Sequence, residues 1–189
     1  VDAIRLSFGM TEPSLIVCSE TYSKHWVNFN RAVSSLFADA AAATYFDPNQ
    51  WDLIHSSGKY MPDTSLLISS PIGSPDSGEV RMVGKEVANF VSSLVIPSLK
   101  EILKDQPIIN RGYFHQGSLY VVEALQSKLK EHFISIPSNI ITRGNSVSAT
   151  LPILINDDTQ ENPIESGEKI LIAGFGVGLS FSVCILQKK

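Results

Sequence analysis

The sequence predicts a layered α/β domain, because segments with helical spacing of apolar residues alternate with short apolar runs of strand character. The segment from Gly84 to Lys104 places its apolar residues along one helical stripe. The segment from Leu179 to Ile185 alternates apolar residues with small or polar ones, which is typical of a strand with unequal faces. Together the segments predict the order helix, strand, helix, strand, helix, strand, strand.

The first third of the chain predicts the end of a helix followed by extended segments. Apolar residues at helical spacing precede Gly9, a good helix stop, and the short apolar run Leu15–Cys18 favours a strand. The alanine-rich run up to Phe46 is expected to finish as a strand, with further extended segments at residues 51–57 and 65–70. Because the chain begins without Met and inside a predicted helix, we expect it to be the later part of a larger protein.

The best candidate for a domain boundary is the stretch "SSPIGSPDSG" between Ser69 and Gly78, which is dense in Ser, Pro and Gly. Proline and glycine interrupt regular elements, so a boundary or a loop is expected there. We therefore expect two units, residues 1–70 and residues 77–189.

The sequence patterns of the second unit, residues 77–189, predict more regular helices and strands than those of the first. A helix over residues 84–104 should kink at Pro97, because proline lacks a backbone N–H. A strand ending at Phe114 is followed by a helix for which Ser118 is the expected N-cap. A short strand at residues 139–142, a turn with a helix, and two closing strands complete the prediction.

Composition argues against nucleic acid and membranes as partners. The net charge is −4 and the basic residues are scattered. No apolar run reaches the roughly 18 to 20 residues that a membrane-spanning helix needs. We expect no signal peptide, and the two cysteines, Cys18 and Cys184, lie far apart. We therefore expect a reduced, cytoplasmic protein.

Three turns at predicted strand ends could carry chemistry, because ligands bind at the carboxyl edge of open α/β sheets. They are Phe114–Gly117, Arg143–Ser146 and Gly174–Gly178. Each is a weak signal alone. A single histidine at a strand end is more often structural, Gly-Asn is a common turn dipeptide, and glycine-rich hairpins join many strands.

In this order and spacing the turns resemble the thiolase-like condensing enzymes, most closely the ketoacyl-acyl-carrier-protein synthase III family. That family carries Pro-His-Gln-Ala-Asn, then Gly-Asn-Thr-Ser-Ala-Ala-Ser-x-Pro, then Ala-Phe-Gly-Gly-Gly. This chain has "FHQGS", "GNSVSATLP" and "GFGVG" in their places, and "FNRAVSSLFADAAAATYF" and "MVGKEVANFV" also resemble family segments. The resemblance implies a thiolase-like fold, layered α-β-α with mixed five-stranded sheets. Residues 1–70 would end its amino-terminal half, and residues 77–189 would form its carboxyl-terminal half.

The resemblance also implies a reaction, the decarboxylative Claisen condensation of an acyl thioester with a malonyl-type thioester. His115 and Asn145 match the two family donors to the enolate oxygen, and the backbone N–H of Val177 matches a second oxyanion site. Such a donor typically lowers the barrier by about 3 kcal/mol. The implied substrate-binding residues are Arg31 near the coenzyme A nucleotide, Gly84 and Ala88 in the wall of the pantetheine tunnel, and Ser118, where the family has Asn.

The nucleophile of the family is a cysteine at the amino end of a buried helix, where the helix dipole favours the thiolate. The tail of that helix matches the start of this chain, so the resemblance places the cysteine upstream of Val1, on the same chain or a separate one. Neither Cys18 nor Cys184 is predicted to begin a helix, and buried structural roles are expected for both.

No metal or other cofactor is expected, because the remaining histidines, His25, His55 and His132, lack the spacing of metal ligands. Coenzyme A or acyl-carrier-protein thioesters would be substrates, and the resemblance implies a dimer. Two alternatives stay open: a synthase-like acyltransferase to oxygen or nitrogen, and a non-catalytic partner subunit. Phe114 in place of the family's Pro, Ser118 in place of its Asn and the alanine-rich segment are departures that keep the alternatives in view.

Overall fold

The computed structural model describes residues 1–10, 12–25, 34–63, 67–68 and 81–189. Residues 69–80, which hold most of the predicted boundary stretch, lie outside the described residues. The helices are α1 (Asp2–Ser7), α2 (Gly84–Phe90), α3 (Ile96–Leu103), α4 (Leu119–Leu129), α5 (Ile140–Arg143) and α6 (Thr150–Glu161). The strands are β1 (Ser14–Glu20), β2 (Ala40–Phe46), β3 (Trp51–Asp63), β4 (Leu67–Ile68), β5 (Arg81–Met82), β6 (Ile109–Phe114), β7 (Phe133–Ser135), β8 (Lys169–Gly176) and β9 (Gly178–Lys188).

A mixed five-stranded sheet organises the described residues, with the strand order β3-β9-β8-β6-β7. Strand β6 runs parallel to β7 and β8, whereas β9 runs antiparallel to both of its neighbours. Strands β1 and β2 pair antiparallel, and so do the short strands β4 and β5. The mixed sheet with helices confirms the predicted α/β fold class.

Apolar side chains cover both faces of the five-stranded sheet. On one face, Leu171 of β8 belongs to a buried cluster with Leu99 of α3 and Leu125 of α4. On the other face, Ile172 packs in a second cluster with Leu154 of α6. Neighbouring residues of β8 therefore point to opposite layers, as strand geometry requires. Each fully buried leucine or isoleucine side chain contributes about 1.5–3 kcal/mol to folding.

Strand β3 completes the sheet of the later unit. It pairs with β9 from Trp51 opposite Lys188 to Asp63 opposite Gly178, with two register shifts along the way. A division before Trp51 fits this pairing, whereas the predicted division after residue 70 would separate β3 from its sheet. The sequence gives no local sign of this, because the two strands are far apart in the chain. The assignment to two halves of a duplicated fold stays a prediction.

Two local expectations about the helices need correction or refinement. Residues 139–142 form the helix α5 with its cap rather than a strand, because the N–H groups of Thr142 and Arg143 bond to Asn139 O at 3.0 and 2.9 Å. Short apolar runs do not distinguish the two states. A π-helical turn, Val91–Val95, joins α2 to α3 without a break, and Pro97 lies in the first turn of α3, directly after this irregularity.

Candidate active site

His115 lies directly after the carboxyl end of β6, where the sequence placed it. Its backbone N–H donates to Ala173 O at 2.9 Å, which ties the residue to β8. Its imidazole meets the ring of Phe175 edge to face, with 5.4 Å between ring centroids. The histidine is therefore fixed by two strands of the five-stranded sheet rather than by a free loop.

Among the described residues, one side chain hydrogen-bonds to the imidazole of His115. Its Nδ1 atom lies 2.7 Å from the hydroxyl oxygen of Thr150, at the start of α6. Burial lowers the pKa of His115 from 6.5 to about 4, so the ring is neutral at neutral pH. A neutral imidazole has one N–H and one unprotonated nitrogen. No partner among the described residues bonds to Nε2, which leaves this atom for a ligand.

Asn145 is buried, and its carboxamide has a fixed orientation. Its Oδ1 accepts from the N–H of Val147 at 2.9 Å, and its Nδ2 donates to Gly117 O at 3.0 Å. The nitrogen of a carboxamide carries two N–H groups. Within the described ranges, the second N–H of Asn145 has no partner. Its backbone is anchored as well, because Asn145 N donates to Leu36 O at 3.0 Å.

The turn that holds Asn145 requires unusual backbone angles. Gly144 has a φ of 68° and Val147 a φ of 50°, both in the left-handed region. A Cβ at Gly144 would also approach the Cβ of Ala38 to 3.3 Å. A β-branched residue rarely adopts such a φ, and strain of this kind is retained where the surroundings hold it in place. Here the bond from Val147 N to Asn145 Oδ1 is part of what holds it.

Gly117 lies between the two predicted donors. A Cβ at this glycine would lie 3.6 Å from Nε2 of His115, and its carbonyl oxygen accepts from Asn145 Nδ2 at 3.0 Å. The free nitrogen of the imidazole and the carboxamide of Asn145 are thus both adjacent to one residue. Two polar N–H groups from different turns can therefore face one small region.

These side chains open into a cavity of about 780 Å³. The predicted site residues that the structure describes all line it, and these are Gly84, Ala88, His115, Ser118, Asn145 and Val177. The hydroxyl of Ser118 accepts from Val121 N at 3.3 Å, which confirms the predicted N-cap of α4. Arg31 falls outside the described residues. Val177, at the turn between β8 and β9, lines the cavity and is 52% exposed.

Sequence reasoning missed Gln116 as a residue that builds this site. Its side chain is fully buried and donates to Phe114 O at 2.9 Å. It also accepts from the hydroxyl of Ser138 at 2.9 Å and from Asn139 N at 3.3 Å. Gln116 therefore joins the turn of His115 to the start of α5, the helix that leads to Asn145. The sequence feature that could have identified Gln116 is its position between His115 and Gly117 in one of the three candidate turns.

The two cysteines of the chain lie in strands, as predicted, and neither begins a helix. Cys184 is fully buried on β9, and burial raises the pKa of its thiol to about 12, which keeps it protonated. Cys18 on β1 differs from the expectation of burial, because it is partly exposed and lines the cavity.

The described residues contain no cluster of three or more His, Cys, Asp or Glu side chains that could hold a metal ion. Of the histidines without a predicted role, His55 contacts Ser57 Oγ at 3.0 Å and His132 lies 3.7 Å from Glu131. In the part of the chain that the structure describes, no helix has the length and apolar character needed to cross a bilayer.

Comparison with known proteins connects this geometry to a family. Residues 104–188 match the family described as 3-oxoacyl-[acyl-carrier-protein (ACP)] synthase III C terminal. The β-ketoacyl-[acyl-carrier-protein] synthase III of Clostridium novyi is 28% identical over 195 residues, covering 95% of this chain and 60% of that protein. Residues 104–188 therefore correspond to the carboxyl-terminal domain of the synthase III family, and the chain as a whole is similar to synthase III proteins. The match includes both predicted donor turns and the glycine-rich hairpin.

Solved structures agree with this family fold. The 3-oxoacyl-(acyl carrier protein) synthase III of Pseudomonas aeruginosa superimposes with a TM-score of 0.80 at 23% identity, over 97% of this chain and 60% of that one. The priming β-ketosynthase of the R1128 polyketide pathway gives 0.78 at 22% identity, over 94% and 57%. The thiolase-like fold is thereby confirmed. The chain spans about 60% of the length of the curated synthase III relatives that it matches.

Proposed function

We propose that the complete protein is a condensing enzyme of the β-ketoacyl synthase III type, which joins an acyl thioester to a malonyl-type thioester. One observation carries the proposal: His115 and Asn145 flank Gly117 in a single cavity, and among the described residues neither Nε2 of His115 nor the second N–H of Asn145 Nδ2 has a partner. Preorganised N–H donors that face one small region can stabilise a developing oxyanion without reorganising during the reaction.

The proposed reaction begins with an acyl group held as a thioester on a cysteine upstream of Val1, a position that the resemblance of the first helix to the family's nucleophile helix supports. Loss of carbon dioxide from the malonyl thioester breaks a carbon–carbon bond and leaves its electron pair as an enolate. The negative charge falls on the thioester oxygen, where N–H groups of His115 and Asn145 stabilise it. The enolate carbon then attacks the acyl carbonyl, forms the new carbon–carbon bond and expels the cysteine thiolate.

The remaining predicted residues have supporting roles in this proposal. The backbone N–H of Val177 stabilises the oxyanion formed when the enolate attacks the acyl carbonyl. Gly84, Ala88 and Ser118 line the passage for the pantetheine arm, and Arg31 binds the nucleotide of coenzyme A. Acyl-coenzyme A or acyl-carrier-protein thioesters are the substrates, no other cofactor takes part, and the enzyme works as a dimer that includes the upstream half of the fold.

Two measurements on the complete protein test the proposal. The first is intact-mass analysis after incubation with acyl-coenzyme A, and the second is the rate of malonyl decarboxylation. We expect one acyl adduct on the upstream cysteine. His115→Ala should slow decarboxylation by about 10²–10³-fold and leave that acylation measurable. His55→Ala is the matched control, because His55 lies on β3 and bonds to Ser57. Acylation of only Cys18 or Cys184, or no acylation at all, would contradict the proposal. So would an equal loss of acylation and decarboxylation in His115→Ala.

Product analysis separates the enzyme alternatives. A synthase-like acyltransferase passes the acyl group to oxygen or nitrogen and needs no donor at position 145, so it would yield an ester or amide without release of carbon dioxide. The two hydrogen bonds that orient the Asn145 carboxamide favour condensation instead. A partner subunit that carries no chemistry would give neither product, even with its upstream segment present.

A further inference from the structure

We propose that Thr150 is a positioning residue whose hydroxyl donates to Nδ1 of His115 and so keeps the histidine's proton on Nε2, facing the cavity. This inference rests on the proposed function for its catalytic consequence, but not for the tautomer itself. Thr150 is buried at the first residue of α6, and the family resemblance assigned it no role although it lies in a matching segment.

The need for such a residue follows from the neutral state of His115. Burial depresses the pKa of the imidazole to about 4, so at neutral pH only one ring nitrogen carries a hydrogen. With the proton on Nδ1, Nε2 would present a lone pair to the cavity and repel an enolate oxygen. With the proton on Nε2, the same atom becomes a donor. The choice of tautomer therefore decides whether His115 can stabilise the charge.

The hydroxyl of Thr150 has two possible acceptors and only one hydrogen. One acceptor is Nδ1 of His115 at 2.7 Å, and the other is the carbonyl oxygen of Val147 at 2.9 Å. If the hydrogen goes to Val147 O, the oxygen of Thr150 can only accept from His115, which places the histidine's proton on Nδ1. If it goes to Nδ1, the proton lies on Nε2.

The shorter of the two distances fits donation to the imidazole. With oxygen as the acceptor, hydroxyl donors cluster at about 2.7–2.8 Å, whereas N–H donors cluster at about 2.9–3.0 Å. The separation of 2.7 Å between Thr150 and His115 Nδ1 fits a hydroxyl donor, and the 2.9 Å to Val147 O is the longer of the two. The neighbouring Asn145 has its orientation fixed with an N–H to spare. A donor tautomer of His115 would place two donors beside Gly117.

The surroundings leave the ring little other support. The contact with Phe175 fixes the plane of the imidazole but does not distinguish its nitrogens. Among the described residues, Thr150 is the hydrogen-bond partner of the His115 side chain. Replacing Thr150 by Val keeps the shape of the side chain and removes the hydroxyl, whereas Ser keeps the hydroxyl.

The first test reads the tautomer by NMR of the complete protein labelled with ¹⁵N in its histidines, with His115 assigned by comparison with His115→Asn. We expect the wild-type protein and Thr150→Ser to show an unprotonated Nδ1 and a protonated Nε2. Thr150→Val should show a mixture of tautomers or a protonated Nδ1. Thr159→Val is the matched control on the same helix, because the hydroxyl of Thr159 bonds to Ile155 O at 2.7 Å. It should keep the wild-type spectrum.

The second test measures malonyl decarboxylation and acylation in the same variants. Thr150→Val should decarboxylate about 10- to 100-fold more slowly, which is less than the roughly 10²–10³-fold loss for a deleted donor. Acylation should stay within about twofold, and Thr150→Ser should restore most of the decarboxylation rate.

The two proposals can fail separately. A protonated Nδ1 in the wild-type protein, or an unchanged tautomer and rate in Thr150→Val, would overturn the role of Thr150. The expected tautomers in a wild-type protein that does not decarboxylate malonyl thioesters would support that role and overturn the proposed function.

Discussion

Gln116 offers a sharp test of how the site is built, because a single buried side chain joins the two donor turns. Gln116→Met keeps the length of the side chain and removes its polar atoms. The change leaves Phe114 O and Asn139 N without the bonds of 2.9 and 3.3 Å that they have now, whereas the exposed Ser138 hydroxyl can turn to water. A buried polar group without a partner costs about 1–3 kcal/mol.

Two such backbone groups give an expected loss of about 2–6 kcal/mol in the free energy of unfolding, or roughly 4–24 °C in the midpoint of thermal unfolding. Denaturant or thermal unfolding of the complete protein measures the loss. Gln126→Met is the control, because Gln126 makes one bond, to Ile136 O at 2.9 Å, and should lose about 1 kcal/mol.

Gln116→Met should also change the rates of the proposed reaction. Without Gln116, the turn of His115 and the start of α5 can move independently, so decarboxylation should fall more than acylation. A Gln116→Met protein that is as stable as Gln126→Met, with an unchanged ratio of the two rates, would refute the claim that this side chain couples the turns.

Two further predictions concern stability. Arg111→Met should cost about 3–5 kcal/mol, because it leaves the carboxylates of Asp158 and Glu168 without the buried guanidinium that now lies 3.2 and 3.1 Å from them. Chemical denaturation measures the loss of unfolding free energy, and Arg5→Met is the control because the exposed pair of Arg5 with Asp2 contributes less than about 1 kcal/mol. Equal losses in the two variants would contradict the prediction. The second prediction is that the free energy of unfolding decreases as the pH is lowered from about 6.5 to 4. In this range His115 binds a proton in the unfolded chain but not in the folded protein, where its pKa is about 4. The loss should reach about 3 kcal/mol and be absent in His115→Asn, and parallel pH curves for the two proteins would show that the pKa is not depressed.

Local signals in the sequence predicted those parts of the site that local physics determines. The strand before His115 and the N-cap at Ser118 follow from short patterns that need no distant partner. The hairpin of β8 and β9 follows from alternation of apolar residues on both sides of a glycine-rich turn. The pairing of β3 with β9, by contrast, depends on a register between distant segments.

The roles of Gln116 and Thr150 could not be predicted for the same reason. Gln116 acts through Ser138 and Asn139, and Thr150 through His115, so each role exists only once separate turns are folded together. The error at residues 139–142 has a different origin. A run of four residues with two isoleucines fits a strand by composition, and only the hydrogen bonds to Asn139 O make it helical.

The central claim, that His115 and Asn145 donate to one and the same oxygen, is tested most directly by a double-mutant cycle on malonyl decarboxylation. Each of His115→Ala and Asn145→Ala should slow the reaction by about 10²–10³-fold. Once one donor is lost, the oxygen is no longer seated between them, so the double variant should be no more than about tenfold slower than the slower single variant. Losses that multiply in full, as for independent sites, or a single variant at the wild-type rate would contradict the claim.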